Sequence, residues 1–279
     1  MIKNVMSLKA KIRNYAKKRN MSAQVALQNF MFECFLERLS KSPYKEYFVL
    51  KGGLLIASVI GNANRSTMDM DGTIVNYPVS EKSIEKFINK ICEIDLEDGL
   101  IFNLVNIEHI REDDLYGGFR VKLESKFDSI VTPMHIDITT GDVITPDKIE
   151  YGYKKEFSDG SIKLFAYNLE TILAEKFETI ITRGVFNTRP KDFYDIYILQ
   201  EMGNINDEIF IKATKRTAKN RDSLHIFNSL AEQVKSISES NSLKKHWERY
   251  KNTYYYAEEI EYEELIRKLE QLSKLFYKK

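Results

Sequence analysis

The fold is set around residues 47–71, which read YFVLKGGLLIASVIGNANRSTMDMD. The short run over residues 47–50 predicts a strand, and residues 54–60 predict an apolar helix directly after it. Gly52 and Gly53 lie between the two, where bare backbone N–H groups and the helix dipole can hold a phosphate. A tight turn that needs glycine explains the pair equally well.

Two aspartates at the end of this segment form a candidate metal site. The alternation over residues 68–75 predicts a strand in which Asp69 and Asp71 share one face, while Met68 and Met70 point into the core. Carboxylates about 4 Å apart repel each other by on the order of 4 kcal/mol at an effective dielectric constant of about 20, so the pair favours a bound cation. Oxygen-only ligation favours Mg²⁺ or Mn²⁺. Capping of a turn is the alternative role for the pair.

A third aspartate, Asp137, lies in the middle of a strand predicted over residues 133–139 (PMHIDIT). A carboxylate there must face a cavity, bind a metal or meet a partner, because the burial of an unpaired charge is costly. We therefore expect Asp137 to belong to the same site as Asp69 and Asp71.

The remaining periodicities divide the chain into an α+β front part and a helical back part. The front part has predicted helices over residues 22–39 and 81–91 and a predicted strand over residues 118–127. The back part shows helical patterns over residues 168–182, 190–200, 206–238 and 257–277. We therefore predict an α+β domain over residues 1–165 and a helical domain over residues 166–279.

Composition excludes several classes of protein. The 279 residues are 43% hydrophobic and 30% charged, which is typical of globular proteins and not of disordered or collagen-like chains. No apolar run reaches the roughly 18 residues that span a membrane. Cys34 and Cys92 are too few for a disulfide framework or a cysteine metal site. Residues 1–20 lack the apolar stretch of a signal peptide, so a cytoplasmic location without a membrane partner is expected.

Charge is unevenly distributed, although its net value is only +1. Residues 1–20 carry seven basic and no acidic side chains, residues 66–150 carry 18 acidic and 8 basic ones, and residues 212–221 carry five basic ones. An acidic middle between basic flanks is typical of a metal-dependent enzyme that acts on a polyanion. A solvated helix face explains each basic run equally well.

A lysine interrupts the apolar face of the helix predicted from Asn168. Lys176 falls among four leucine and isoleucine side chains, whereas Glu178 falls on the solvent side. The lysine can extend to solvent along its stem, or it can contact an interior anion or a nucleotide phosphate. Asp192, in the first turn of the next predicted helix, can serve the helix dipole, and Asp195 can pair with Lys176.

Four short blocks follow one another along the chain. The first is the glycine pair with RSTMDMD over residues 65–71, and the others are IDITTGD over residues 136–142, LAEK over residues 173–176 and RPKDFYD over residues 189–195. In this order they resemble the AbiEii/AbiGii family of nucleotidyltransferase-like toxins. The resemblance implies a polymerase-β-type nucleotidyltransferase domain with a mixed sheet, a helical C-terminal domain, and a Mg²⁺-bound NTP as substrate.

By this resemblance, each block supplies part of one active site. Asp69 and Asp71 would be the metal ligands, and Lys176 would contact the nucleotide. Asp192 would belong to the final active-site motif. That motif also contains Lys191 and Asp195. The first block also contains Arg65. Four of its residues would line the phosphate side: Gly52, Gly53, Ser66 and Thr67.

The resemblance also implies a biological role. Members of the family are toxins of toxin–antitoxin pairs that defend against phage by abortive infection, and the product of an adjacent antitoxin gene neutralises them. Some relatives transfer nucleotides to tRNA 3′ ends, so an RNA acceptor such as tRNA is expected. One departure from polymerase-β-type enzymes, which commonly have Gly-Ser at the first turn, is that Leu54 follows Gly53.

Two other functions fit parts of the sequence. Residues 69–73 also match the D-x-D-G-T motif of haloacid-dehalogenase-like phosphatases. In those enzymes the motif ends a buried apolar strand, whereas residues 62–67 here are mostly polar. A non-enzymatic RNA-binding module is the third candidate, because the basic flanks come with 16 Tyr and 16 Phe available for stacking. It leaves the aspartates unexplained.

Overall fold

The computed structural model describes residues 4–62, 64–110 and 117–277. The chain has two compact units: Met1–Asp142 with Ile149–Ala166 form the first, and Val143–Lys148 with Tyr167–Lys279 form the second. Residues 143–148 thus belong to the helical unit, although they precede the boundary predicted from the sequence. Thr145 attaches them, because its N–H donates to Thr171 Oγ1 at 3.0 Å and its carbonyl accepts from Asn168 Nδ2 at 2.9 Å.

Within the described residues, the first unit is built on a seven-stranded mixed sheet. Its strands along the chain are β1 (Phe48–Lys51), β2 (Met70–Ile74), β3 (Leu100–Ile110), β4 (Gly118–Phe127), β5 (Ile130–Thr140), β6 (Ile149–Lys154) and β7 (Ser161–Ala166). Their order across the sheet is β3-β4-β5-β2-β1-β7-β6. β1 pairs parallel with β7 and β2 pairs parallel with β5, and the other neighbours are antiparallel. The α+β class and the mixed sheet predicted from the sequence are confirmed.

The helices of this unit are α1 (Val5–Lys18), α2 (Ala23–Lys41), α3 (Gly52–Ile60) and α4 (Glu81–Cys92). Ser22 and Ser80 begin α2 and α4, and each hydroxyl accepts the backbone N–H three residues further on. α4 buries one stripe of apolar side chains, because these recur at helical spacing: Ile84, Phe87, Ile88 and Ile91.

β2 begins two residues later than the sequence predicts. Met70 is fully buried, but Met68 is 38% exposed, so the expectation that both methionines point into the core is wrong for Met68. Thr67 donates its hydroxyl to the Asp69 carbonyl at 3.0 Å, and this turn-forming hydrogen bond lies ahead of the strand. Asp69 therefore precedes β2, and Asp71 lies within it.

The second unit is helical. Its helices are α5 (Leu169–Arg183), α6 (Pro190–Glu201), α7 (Asp207–Asn220), α8 (Leu230–Ser238), α9 (Asn241–Thr253) and α10 (Tyr262–Lys274). The single helix predicted over residues 206–238 is wrong, because Asp222 adopts φ 54° and ends α7. α9 escapes prediction because only Leu243 and Trp247 are buried along it, which leaves almost no apolar periodicity.

Strands β3, β6 and β7 are absent from the sequence prediction. β3 and β6 are the two edge strands, and an edge strand has a weak alternation of buried and exposed residues. β7 does alternate, but its six residues are too short to stand out. In the described ranges no helix is both long and apolar enough to cross a membrane.

Candidate active site

Four charged side chains lie side by side across the centre of the sheet. Asp71 on β2 is the register partner of Lys51 on β1 and of Asp137 on β5, and Asp137 is the partner of Arg120 on β4. Register partners on neighbouring strands share one face of the sheet. The result is a row of one cation, two anions and a second cation, which we call the charged row (Lys51, Asp71, Asp137 and Arg120).

Strict alternation fixes the face on which the charged row lies. The residue next to each member of the row is buried, and these neighbours form part of the core: Leu50, Met70, Ile136 and Val121. Successive side chains of a strand point to opposite faces, so burying these four apolar residues directs the four charged ones to the other face. The apolar pattern of the sequence therefore positions the charges.

The carboxylate of Asp71 lies against the glycine turn at the start of α3. Its Oδ2 accepts the Gly53 N–H at 3.3 Å. Gly52 has φ 63°, and a Cβ placed there would come within 2.1 Å of the same oxygen. A side chain at position 52 is thus excluded both by backbone conformation and by the aspartate.

A buried arginine lies on the other side of this turn. Arg65 is 4% exposed, and a Cβ on Gly53 would come within 2.2 Å of its Nη1. Among the described residues, Lys51 at the N-cap of α3 makes no side-chain capping hydrogen bond, and the Gly53 N–H donates to Asp71. A guanidinium beside a helix N-terminus has the geometry that binds phosphate.

Asp69, Ser66 and Thr67 lie on the segment that leads into β2. The Asp69 side chain is half-exposed, and its Oδ1 is 3.8 Å from His135 Nδ1. Ser66 accepts a hydrogen bond from Arg65 Nη1 through its carbonyl at 3.2 Å, and both Ser66 and Thr67 are half-buried. The segment therefore passes Arg65 before it reaches the two aspartates.

Asp137 is held by an arginine that the sequence did not identify. Arg120 donates two hydrogen bonds to this carboxylate, from Nε to Oδ1 at 2.7 Å and from Nη2 to Oδ2 at 2.6 Å. Hydrogen bonding to Asp137 raises the pKa of Arg120, and the charges of Asp137, Asp69 and Asp71 raise it further. Arg120 is thus the counter-ion that all three aspartates share.

Lys51 closes the other end of the charged row. Its Nζ lies 2.6 Å from Asp142 Oδ2, and both side chains are largely buried. Thr139 donates its hydroxyl to the same carboxylate. Asp142 is thus a direct ion-pair partner of Lys51, and Arg120 is that of Asp137.

The donor set fits a divalent ion bound by two protein carboxylates. Asp69 and Asp71 offer hard oxygen ligands, whereas both oxygens of Asp137 are engaged by Arg120. Among the described residues, no three His, Cys, Asp or Glu side chains are grouped as a ready metal site. Two carboxylates completed by water and substrate phosphate are the usual environment of Mg²⁺.

A second charged cluster lies within the helical unit. Lys176 on α5 places Nζ 2.6 Å from Asp192 Oδ1 and 3.1 Å from Asp195 Oδ2, both on α6. Asp192 and Asp195 are 2% and 0% exposed. Asp192 Oδ2 is buried without a hydrogen-bond partner in the described part of the chain. We call these three residues the lysine–aspartate cluster.

Glu178 is buried, so its placement on the solvent side of α5 is wrong. Arg221 Nη1 donates to its Oε2 at 2.6 Å, and Ser223 donates to its Oε1 at 2.7 Å. Helical periodicity along α5 cannot predict this burial, because the groups that bond to Glu178 come from another part of the chain. Because Arg221 is paired with Glu178, it does not count as a free cation of the basic run over residues 212–221.

Residues 34–270 match the family model described as Nucleotidyl transferase AbiEii toxin, Type IV TA system. The chain belongs to the AbiEii family. Membership makes it a nucleotidyltransferase toxin of a toxin–antitoxin system. No curated protein sequence matches it at a significant level.

One solved structure, that of MenT4, supports the fold. The chain is similar to MenT4, a nucleotidyltransferase toxin from Mycobacterium tuberculosis H37Rv, with a TM-score of 0.57, 12% identity, and coverage of 96% of this chain and 98% of that one. It also matches JHP933 from Helicobacter pylori with a TM-score of 0.47, 17% identity, and coverage of 91% and 93%. The recognised family, the fold class and the assignment as an enzyme are confirmed.

Two groups of the predicted AbiEii site residues are brought together within their own units. Asp71 meets the glycine pair and lies beside Asp137, and Lys176 meets both aspartates of α6. Lys191 is exposed in the first turn of α6. The phosphatase alternative loses its structural basis, because described residues 64–69 form no strand ahead of the D-x-D-G-T motif.

Proposed function

We propose that this AbiEii toxin transfers a nucleotide from a Mg²⁺-bound NTP to an RNA acceptor, with tRNA as the expected class. The observation that carries the proposal is the placement of the Asp71 carboxylate against Gly52 and Gly53 beside Arg65. A carboxylate that can hold a metal, together with helix N–H groups and a guanidinium that can hold phosphate, matches a metal–triphosphate substrate.

Asp69 and Asp71 would hold Mg²⁺, with Mn²⁺ as the alternative ion. The ion, when bound, would neutralise charge that develops on the triphosphate. Phosphoryl-transfer catalysis depends mainly on positioning and charge stabilisation. Gly52, Gly53 and Arg65 would position the phosphates, and Ser66 and Thr67 would line the same side.

Asp137 would act on the acceptor, as the base that takes the proton of the attacking hydroxyl or as a further ligand. The two hydrogen bonds from Arg120 fix the orientation of its carboxylate. Base catalysis requires such a fixed carboxylate near the hydroxyl. Its loss should lower kcat more than nucleotide affinity.

Lys176 would supply a cation to the nucleotide. The buried Asp192 and Asp195 hold its ammonium group in one position, which removes the entropy cost of ordering a free lysine. Asp192 would then act as a positioning residue through Lys176. The exposed Lys191 would add a phosphate contact on the side of the RNA acceptor.

The RNA acceptor would bind to basic surfaces in each unit. On α7 the exposed Lys212, Lys215, Arg216 and Lys219 share one helix face, at spacings of three and four residues. On α1, Lys9, Lys11, Arg13, Lys17 and Lys18 are exposed, and Lys3 lies outside the described residues. Acceptor affinity should therefore fall steeply with salt, and the slope should shrink when the α7 lysines become alanine.

The toxin would act in the cytoplasm, where NTPs and RNA are present, as part of a phage-defence system. A cognate antitoxin encoded nearby would be the partner that neutralises it. Abortive infection would follow from modification of RNA that the cell needs for translation.

The deciding experiment incubates the purified protein with Mg²⁺, each labelled NTP in turn, and total cellular RNA. Label in a discrete RNA band, absent with Asp71→Asn, would support the proposal. Label on protein only would overturn the RNA acceptor. Full toxicity and RNA binding by Asp71→Asn would favour the non-enzymatic RNA-binding module.

A further inference from the structure

The segment over residues 183–191, which reads RGVFNTRPK and joins α5 to α6, presents an aromatic ring to solvent. Phe186 is 87% exposed and lies in a 3-10 turn, Gly184–Phe186. Three basic residues share the segment, Arg183, Arg189 and Lys191, and it has no acidic residue. Each of the three is exposed. The segment therefore combines an exposed π-face with positive charge.

The shape of the segment does not depend on Phe186. Asn187 is 1% exposed, its N–H donates to the Gly184 carbonyl at 3.2 Å, and its Oδ1 accepts the Arg189 N–H at 2.8 Å. Gly184 has φ 51°, a conformation that favours glycine. Pro190 then begins α6. A buried asparagine, a glycine and a proline thus fix the backbone, and the phenylalanine ring is left to solvent.

Single exposed apolar side chains are common and need no explanation. Phe186 differs because its segment is fixed, basic, and continuous with the first turn of α6, where Asp192 lies. A rigid aromatic ring flanked by arginine and lysine is the arrangement with which proteins stack unpaired bases and contact the adjoining phosphates. The cations on both sides of the ring complement the phosphates of a nucleic acid strand.

We propose that the 183–191 segment is a docking surface for single-stranded RNA, in which Phe186 stacks on one unpaired base and Arg189 and Lys191 contact the flanking phosphates. The inference rests on the proposed function, because it assigns to the acceptor a place on the helical unit. Stacking tolerates every base, since each has a π-face. Duplex RNA hides these faces, so the surface selects an unpaired end or loop over a helix.

The test measures the affinity of the full chain for a labelled single-stranded oligoribonucleotide of about 12 nucleotides and for its blunt duplex, by fluorescence anisotropy without NTP. Phe186→Ala should weaken single-strand binding by about 5- to 100-fold, the range for loss of one base–aromatic stack, and leave duplex binding unchanged. Phe186→Trp should retain affinity. Phe186→Leu should behave like alanine, because leucine keeps the apolar area but has no π-face.

Ile101→Ala is the matched control, because Ile101 is an exposed apolar residue of β3. This variant should bind the single-stranded RNA with the affinity of the unaltered protein. Full single-strand affinity of Phe186→Ala or Phe186→Leu would overturn the proposal. So would sedimentation showing that Phe186→Ala converts an oligomer to a monomer, since the ring would then bind a second copy. If the unaltered protein transfers no label to RNA but Phe186→Ala still weakens single-strand binding, the proposed function fails and this inference stands. If Phe186→Ala labels RNA with an unchanged KM for the acceptor, this inference fails and the proposed function stands.

Discussion

Replacement of Lys176 by methionine tests the lysine–aspartate cluster most directly. The change keeps the packing of the stem and removes the charge, which leaves the carboxylates of Asp192 and Asp195 buried without their cation. Removal of one partner from a buried ion pair costs about 3 to 5 kcal/mol. At about 2 to 4 °C per kcal/mol for a chain of this size, we expect the melting temperature to fall by about 10 °C.

A double-mutant cycle separates the ion pair from general packing. In the background Asp192→Asn with Asp195→Asn, the same Lys176→Met change should cost less than about 1 kcal/mol, because no uncompensated charge remains. Lys235→Met is the control, since Lys235 on α8 is exposed and pairs only loosely with Glu239 at 4.0 Å. Its unfolding free energy should change by less than about 0.5 kcal/mol.

The readouts are thermal melting, chemical denaturation and nucleotide transfer, with transfer measured well below the lowered melting temperature. Transfer by Lys176→Met should fall by on the order of 10²-fold per folded molecule if the ammonium contacts the nucleotide. A melting temperature equal to that of the unaltered protein would refute the charge argument. Unchanged transfer per folded molecule would refute the nucleotide contact and leave Lys176 a structural residue.

Three further predictions concern the first unit. Asp71→Asn should reduce transfer by at least about 10²-fold with little change in melting temperature, since an amide oxygen can still accept the Gly53 N–H; near-normal transfer would contradict a metal role. Gly160→Ala, at positive φ but in open space, should lower the unfolding free energy by the backbone strain of about 1 to 3 kcal/mol alone, whereas Gly52→Ala should cost more because it also displaces Asp71; equal losses would contradict the clash. Burial raises the pKa of Glu33 to about 7, so its contribution to the free energy of unfolding is complete below about pH 4.5 and falls as the pH rises to 7. Glu33→Gln should therefore reduce the difference in unfolding free energy between pH 5 and pH 8 by up to about 3 kcal/mol, measured by chemical denaturation. An unchanged difference between the two pH values would contradict this assignment.

Sequence reasoning reached the fold class because its strongest signals are local. The alternation over residues 118–127 coincides with β4, and the helical pattern over residues 81–91 coincides with α4. The edge strands escape it because both of their faces are partly solvated. Similarly, spacing along the chain is enough to suggest that Lys176 meets Asp195, since both lie on neighbouring helices of one unit.

Strand register is what the sequence could not supply. Nothing in the chain near Arg120 indicates that it lies opposite Asp137, or that Lys51 lies opposite Asp71. Both facts follow from pairings whose offsets depend on the whole sheet. The exposure of Met68 and the burial of Glu178 escape prediction for a different reason, because hydrogen bonds that periodicity does not take into account decide each of them.

The parallel pairing of β2 with β5 has a consequence for how the enzyme comes into being during synthesis. Asp71 emerges from the ribosome well before Asp137, and their strands can pair only after the intervening hairpin partner β4 and then β5 have been made. Long-range parallel pairing is slow, because the chain loses the entropy of closing a large loop before any stabilising contact forms. A nascent toxin thus carries Asp69 and Asp71 without the third acid or its arginine, and the complete set of charges exists only once the sheet has closed. If Asp69, Asp71 and Asp137 form the active site, as we propose, the toxin would become active only after the sheet has closed, and a mutation that slows the closure of β5 onto β2 would delay toxicity without changing any residue of the site.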